Sequence, residues 1–192
     1  YPHTGQAFRI GITGPPGAGK STLTCALARE YLEVGRTVGI VAVDITSPFT
    51  GGALLGDRIR MQDLTRDDRV FIRSIGNKGR PGGLSRSAQD SMRVLEAMGK
   101  DVVIVETAGV GQTDVDVVDT VDAVVLVTVP EAGDEVQALK AGILEAADII
   151  VLNKVDRPEA DGLGSELQEL VTEQGEVAGW QCPVIRCLDL VE

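Results

Sequence analysis

The sequence predicts a three-layer α/β architecture, with a mostly parallel sheet of about seven strands and helices on both faces. Three observations carry this reading. Short β-branched runs alternate with helical patterns along the chain. Several of these runs are apolar throughout, as strands buried on both faces must be. The polar and glycine-rich segments, 14–20, 44–56, 107–112 and 153–156, all follow such runs. In a parallel sheet they lie beyond the carboxyl ends of strands, where ligands bind.

Taken in order, the apolar run 8–13 reads as the first strand, and the pattern over 21–34 as the helix that follows it. Gly35 stands where a C′ glycine ends a helix. A second strand is read over 37–43, with Asp44 at its end, then a helix over 57–64 and a strand over 70–74. The helical pattern at 84–98 stops at Gly99, and strands follow at 102–106 and 123–129. A helix over 134–147, a strand over 149–153, a helix over 163–173 and a strand over 184–186 complete the series. Internal repeats, low-complexity tracts and linkers are absent from the 192 residues, so one domain over 1–192 is expected.

Composition narrows the function classes. A net charge of −11 argues against nonspecific nucleic-acid binding, which needs basic surface. The charge is uneven: between Arg58 and Arg93 there are nine basic residues against four acids. This segment reads equally as a solvated face or as a partner or phosphate surface. Cys25, Cys182 and Cys187 form no C-x-x-C pair, and His3 is the only histidine. A zinc or nickel site built from Cys and His is not expected. Free thiols and no signal peptide point to a cytoplasmic setting. No apolar run approaches the ~18 residues of a membrane span, so no membrane partner is expected.

The segment G-P-P-G-A-G-K-S, Gly14 to Ser21, fits G-x-x-x-x-G-K-[ST], with a strand before it and a helix after. The expected fold class is thereby that of the P-loop NTPases. The phosphate-binding candidates are Gly14, Pro16, Gly17, Ala18, Gly19, Lys20, Ser21 and Thr22. Glycines let backbone N–H groups curl around phosphates, and the helix N-terminus adds positive potential. Lys20 would reach the β- and γ-phosphates, and Ser21 would ligate Mg²⁺. A chance glycine-rich turn is the competing reading, and the strand–helix context weighs against it.

N-K-V-D, Asn153 to Asp156, sits at a strand end. Asp156 can accept hydrogen bonds from guanine N1 and N2, where adenine offers no matching donors. Asn153 and Lys154 would fix the surrounding loops. GTP or GDP is favoured over ATP, against the plainer reading of a turn with an N-cap. For the metal, Ser21, Asp44, Asp57 and Glu106 supply oxygen ligands at one sheet edge. Asp57 can also be read as an acid favoured by a helix dipole. In V-E-T-A-G-V-G-Q, 105–112, a carboxylate, Glu106, ends the strand, and Gly109 can present its N–H to a γ-phosphate. Val110 stands where Ras-like GTPases keep a water-orienting Gln, so slow intrinsic hydrolysis is expected. Gln112 is a weak substitute. Lys140 alone reads as a surface lysine.

The runs at 11–23, 47–61, 105–112, 133–143 and 153–158 together resemble the MeaB/MMAA/ArgK GTPases of the SIMIBI class. These are G-protein chaperones of adenosylcobalamin-dependent acyl-CoA mutases, chiefly methylmalonyl-CoA mutase. The resemblance implies switch I from Asp44 through Asp57, switch II over 107–112 and a third switch around Glu131 to Lys140. It implies Mg²⁺-associated acids at Asp44, Asp57 and Glu106, and a switch III lysine at Lys140. Lys20, Asp57, Glu106 and Lys140 are the catalytic candidates on this reading. Cys187 and Leu188 would serve in the loop that contacts guanine.

The resemblance further implies that GTP hydrolysis gates adenosylcobalamin loading, with a mutase as protein partner. Family members dimerise through a C-terminal arm, and the expectation here is a G domain without that arm or the family's N-terminal helical segment. Two departures stand out: Ile45 replaces the proline of V-D-P-S-S-P, and Ala108 replaces a usual Val. Competing function classes are a nickel metallochaperone GTPase, a small-molecule kinase, and a non-catalytic nucleotide-sensing module of a fused mutase.

Overall fold

The computed structural model describes residues 3–45, 61, 63–77, 86–109, 119–132, 143–177 and 179–188. Seven strands form one sheet: β1 (Phe8–Thr13), β2 (Val38–Ile45), β3 (Val70–Asn77), β4 (Val102–Glu106), β5 (Ala123–Thr128), β6 (Ile149–Leu152) and β7 (Val184–Arg186). Their order across the sheet is β3-β2-β4-β1-β5-β6-β7. Every pairing is parallel. Parallel neighbours need crossovers, and the described helices α1 (Lys20–Glu33), α2 (Arg86–Ala97) and α3 (Ala160–Gln174) occupy three of them.

The strands are rich in Val and Ile because most of them are covered on both faces. β4 is buried at all five positions. Its alternate residues serve two cores. Val102 and Ile104 pack with Ile10, Ile12 and Ile40 and with Cys25, Ala28 and Leu32 of α1. Val103 and Val105 pack with Val41 and Val43 and with Ala88, Met92 and Leu95 of α2. The three-layer expectation is met: α1 and α2 lie on opposite faces. Leu163, Leu167 and Val171 of α3 join the larger core.

The expected strands match closely. β2 and β3 run a little further than expected, so Asp44 lies within β2, opposite Gly76. Two expected helices differ in their described parts. Of 57–64, Met61 and Asp63 lie in a turn, and Leu64 opens the 3-10 helix Leu64–Arg66. Asp67 closes this segment, because its carboxylate accepts from Arg69 N and Nε at 2.9 and 3.0 Å. Such local side-chain bonds compete with helix. Of 134–147, residues 143–146 form a turn, with Ala146 N donating to Ile143 O at 3.2 Å. Ala147 lies in neither helix nor strand, and the remainder of both segments lies outside the described residues. So do Arg58, Arg60, Lys78 and Arg80 of the basic segment.

At the amino end of the sheet, Arg9 ties β1 to the entry of β5. Its Nε and Nη2 donate to the two Asp122 oxygens at 3.1 and 2.7 Å. Arg9 N also donates to Asp122 Oδ2 at 2.8 Å. The hydrogen-bonded guanidinium holds the Asp122 carboxyl below its ordinary value of 3.8. An unfolded chain therefore takes up this proton at a higher pH than the folded one. The contribution is complete above about pH 4 and is lost as pH falls through the folded value. Urea midpoints measured at pH 7 and at about pH 3 should differ less in Arg9→Ala than in the parent chain.

Candidate functional site

Six residues, 14–19, join the end of β1 to the start of α1. Gly14 has φ 135°, and a Cβ there would lie 1.9 Å from the carbonyl oxygen of Val127. Only glycine fits between β1 and β5 at that point. α1 starts without a side-chain cap and without an acid in its first turn. Its first N–H groups and the positive end of its dipole thus remain available for anionic oxygen. Lys20 is buried, and its ammonium donates to Gly14 O at 2.8 Å and Pro15 O at 2.9 Å. The loop holds the lysine folded along its own rim. Phosphate oxygens would offer that ammonium stronger, charge-assisted acceptors than these neutral carbonyls.

β4 lies beside β1, with Glu106 in register with Ile12. The Glu106 carboxylate is 4% exposed and accepts from Ser21 Oγ at 2.5 Å. A carboxylate ending a buried strand needs such a partner. On the other side Glu106 is in register with Ala42, so the Asp44 backbone sits two residues further toward the carboxyl edge. A hydroxyl and a carboxylate, both hard oxygen donors beside the phosphate loop, fit Mg²⁺, which takes few protein ligands and keeps waters. Among the described residues there is no group of three or more His, Cys, Asp or Glu side chains able to hold a metal ion. Asp57, Lys140 and the side chain of Asp44 lie outside the described residues.

Beyond Glu106 the chain turns directly over the phosphate loop. Thr107 is buried; its N donates to Ile12 O at 3.0 Å and its hydroxyl to Thr13 Oγ1 at 3.1 Å. Gly109 has φ 77°. A Cβ there would lie 2.1 Å from Gly14 O and 2.7 Å from Lys20 Nζ. The Gly109 backbone therefore rests against Lys20 Nζ, the donor that would meet a γ-phosphate.

At the other end, the turn after β6 clamps the loop. Asn153 is 1% exposed, and its Nδ2 donates to Ala18 O at 2.9 Å. Its backbone N donates to Thr128 O at 2.8 Å. Lys154 has φ 58°, a left-handed conformation rare outside glycine, and its Nζ donates to Gly17 O at 3.1 Å. Val155 N donates to Cys187 O at 3.2 Å, and Cys187 N to Leu152 O at 2.8 Å. Cys187 is thus held against the turn that leads into the exposed Asp156. Burial pushes the Cys187 thiol pKa up.

The structure therefore brings Gly14 to Thr22, Glu106, Gly109, Asn153, Lys154, Asp156, Cys187 and Leu188 to one sheet edge. Sequence reading assigned no role to Thr13 and took Thr107 only as the start of switch II; their paired hydroxyls seat that segment over the loop. The available signal was a polar residue ending an apolar run. It also missed an ion pair between Arg157 and Glu131, for which no motif exists.

A family model described as methylmalonyl Co-A mutase-associated GTPase MeaB matches residues 1–191. The chain belongs to the MeaB family. A Pyrococcus abyssi protein named as a GTPase is 54% identical over 188 residues, covering 96% of this chain and 58% of that protein. GTPase ArgK of Escherichia coli is 46% identical over 155 residues, covering 81% of this chain and 47% of ArgK. The chain thus spans about half the length of the MeaB-family relatives it matches. The crystal structure of a LAO/AO transport system kinase superposes with a TM-score of 0.76 at 32% identity, over 97% of this chain and 55% of that one. Among the described residues no helix is long and apolar enough to cross a membrane.

The clamp leads to a stability prediction. Asn153→Ala leaves the buried Ala18 carbonyl without its donor and should cost about 1–3 kcal/mol. Urea denaturation without nucleotide reads this directly; an unchanged midpoint would show that the clamp does not stabilise the fold.

Proposed function

We propose that this chain is the G domain of a Mg²⁺-dependent GTPase. It acts as a chaperone that gates adenosylcobalamin loading and protection of an acyl-CoA mutase such as methylmalonyl-CoA mutase. The observation that carries the nucleotide part is the clamp of Asn153 and Lys154 on Ala18 and Gly17, which joins the base-reading turn to the phosphate loop. Family membership supports the mutase part.

On this reading Asp156 accepts from guanine N1 and N2, with Cys187 and Leu188 beside the base. Gly14, Pro16, Gly17, Ala18 and Gly19 direct backbone N–H groups at the phosphates, and Thr22 lies in the first turn of α1. Lys20 leaves the Gly14 and Pro15 carbonyls for the β- and γ-phosphate oxygens. There it stabilises charge on the transferring phosphoryl group while an in-line water attacks. Ser21 and Glu106, with Asp44 and Asp57, would hold Mg²⁺, which supplies charge neutralisation when bound. The Gly109 N–H reports the γ-phosphate, and its loss on hydrolysis releases the segment that follows. Lys140 is assigned to the switch that relays nucleotide state to the mutase.

Phosphate release should be slow from GTP alone, negligible from ATP, and at least about tenfold faster with an adenosylcobalamin-dependent mutase, a lowering of the barrier by ~1.4 kcal/mol. Lys20→Ala should abolish both rates. Equal turnover of ATP and GTP, or no response to the mutase, would contradict the proposal.

A further inference from the structure

Arg157 Nη1 lies 2.6 Å from Glu131 Oε1. Glu131 belongs to the 3-10 turn Pro130–Ala132, just past β5. Arg157 directly follows Asp156, just past β6. The pair therefore bridges the exits of two neighbouring strands. The Arg157 backbone also closes the turn that contains Asp156, because its N donates to Lys154 O at 3.1 Å. Ala160 N donates to Arg157 O at 3.1 Å, which passes the chain into α3.

Asp156 is exposed, so the aim of its carboxylate depends on the backbone on either side rather than on packing. On the preceding side Asn153 and Lys154 are bonded to the phosphate loop and Val155 to Cys187. On the following side, the contact from Arg157 to Glu131 supplies the tie to a different strand exit. We propose that Glu131 and Arg157 are positioning residues for base recognition: their ion pair fixes the turn that presents Asp156 to the N1 and N2 edge of guanine. This inference rests on the guanine reading given above. Both side chains are about half exposed, at 45% and 48%. The effect is therefore modest and weakened by salt. It acts on the base and not on the phosphates, so it changes discrimination between nucleotides more than the affinity common to all of them.

The test is a competition titration of the whole chain with GDP and with ADP, which shares the ribose and diphosphate but offers Asp156 no matching donors. Glu131→Ala and Arg157→Ala should each lower the GDP-to-ADP affinity ratio about two- to fivefold, the range of an exposed ion pair. ADP affinity should stay within about twofold of the parent. The charge-exchanged double variant, Glu131→Arg with Arg157→Glu, should recover most of the ratio. The differences should shrink when salt rises from ~0.05 M to ~0.5 M. An unchanged ratio in both single variants, or no recovery in the exchanged pair, overturns the strut while leaving guanine recognition intact. A parent chain with no preference for GDP over ADP overturns both.

Discussion

Asn153 is buried at the end of β6, and its carboxamide donates to the Ala18 carbonyl across 135 residues of sequence. That bond, with the Lys154 ammonium on the Gly17 carbonyl beside it, sets the distance between two loops far apart in sequence. On one side is the phosphate loop, held open by Gly14 against β5 and followed by an uncapped helix. On the other is the turn carrying Asp156, continued by the segment after β7. A nucleotide has its base and its phosphates at a fixed separation. A protein that reads both ends must hold its two recognition elements at that separation before the ligand arrives. The strand order delivers the elements to one edge, with β1, β5 and β6 adjacent, and the Asn153 bond fixes them there.

The phosphate end has its own constraint. β4 and β1 are neighbours, so Glu106 lies beside the start of α1 and meets the Ser21 hydroxyl. The segment after Glu106 then crosses the loop, seated by the Thr107 and Thr13 hydroxyls, and places Gly109 against Gly14 and Lys20. Any group added between Lys20 and Gly109 must move one of them. This is the physical basis for assigning that segment to γ-phosphate sensing, and it needs no Asp at the strand end. Glu106 stands at the strand end instead, two residues behind the Asp44 backbone and bonded to Ser21.

Much of this was legible in the sequence. Seven short β-branched runs named seven strands, several of them apolar throughout because strands buried on both faces leave no room for polar residues along their length. Motif spacing named the phosphate loop and the Asn153–Asp156 turn that meets it, because both are contiguous in sequence and depend on backbone geometry that few residues permit. The ends of elements were less legible. Leu64, expected to end a helix over 57–64, instead opens the 3-10 turn Leu64–Arg66. Contacts between distant segments were not legible at all. Thr13 with Thr107, and Glu131 with Arg157, are paired only by the fold.

The central claim is that one clamped edge reads a guanine nucleotide through Asp156. Xanthine carries a C2 carbonyl where guanine carries an amino group, so an amide at position 156 should suit it and a carboxylate should not. Equilibrium affinities for GDP and XDP, measured on the parent chain and on Asp156→Asn, test this most directly. The parent chain should prefer GDP, and Asp156→Asn should prefer XDP. An Asp156→Asn variant that still binds GDP as the parent does, with no gain for XDP, would contradict it.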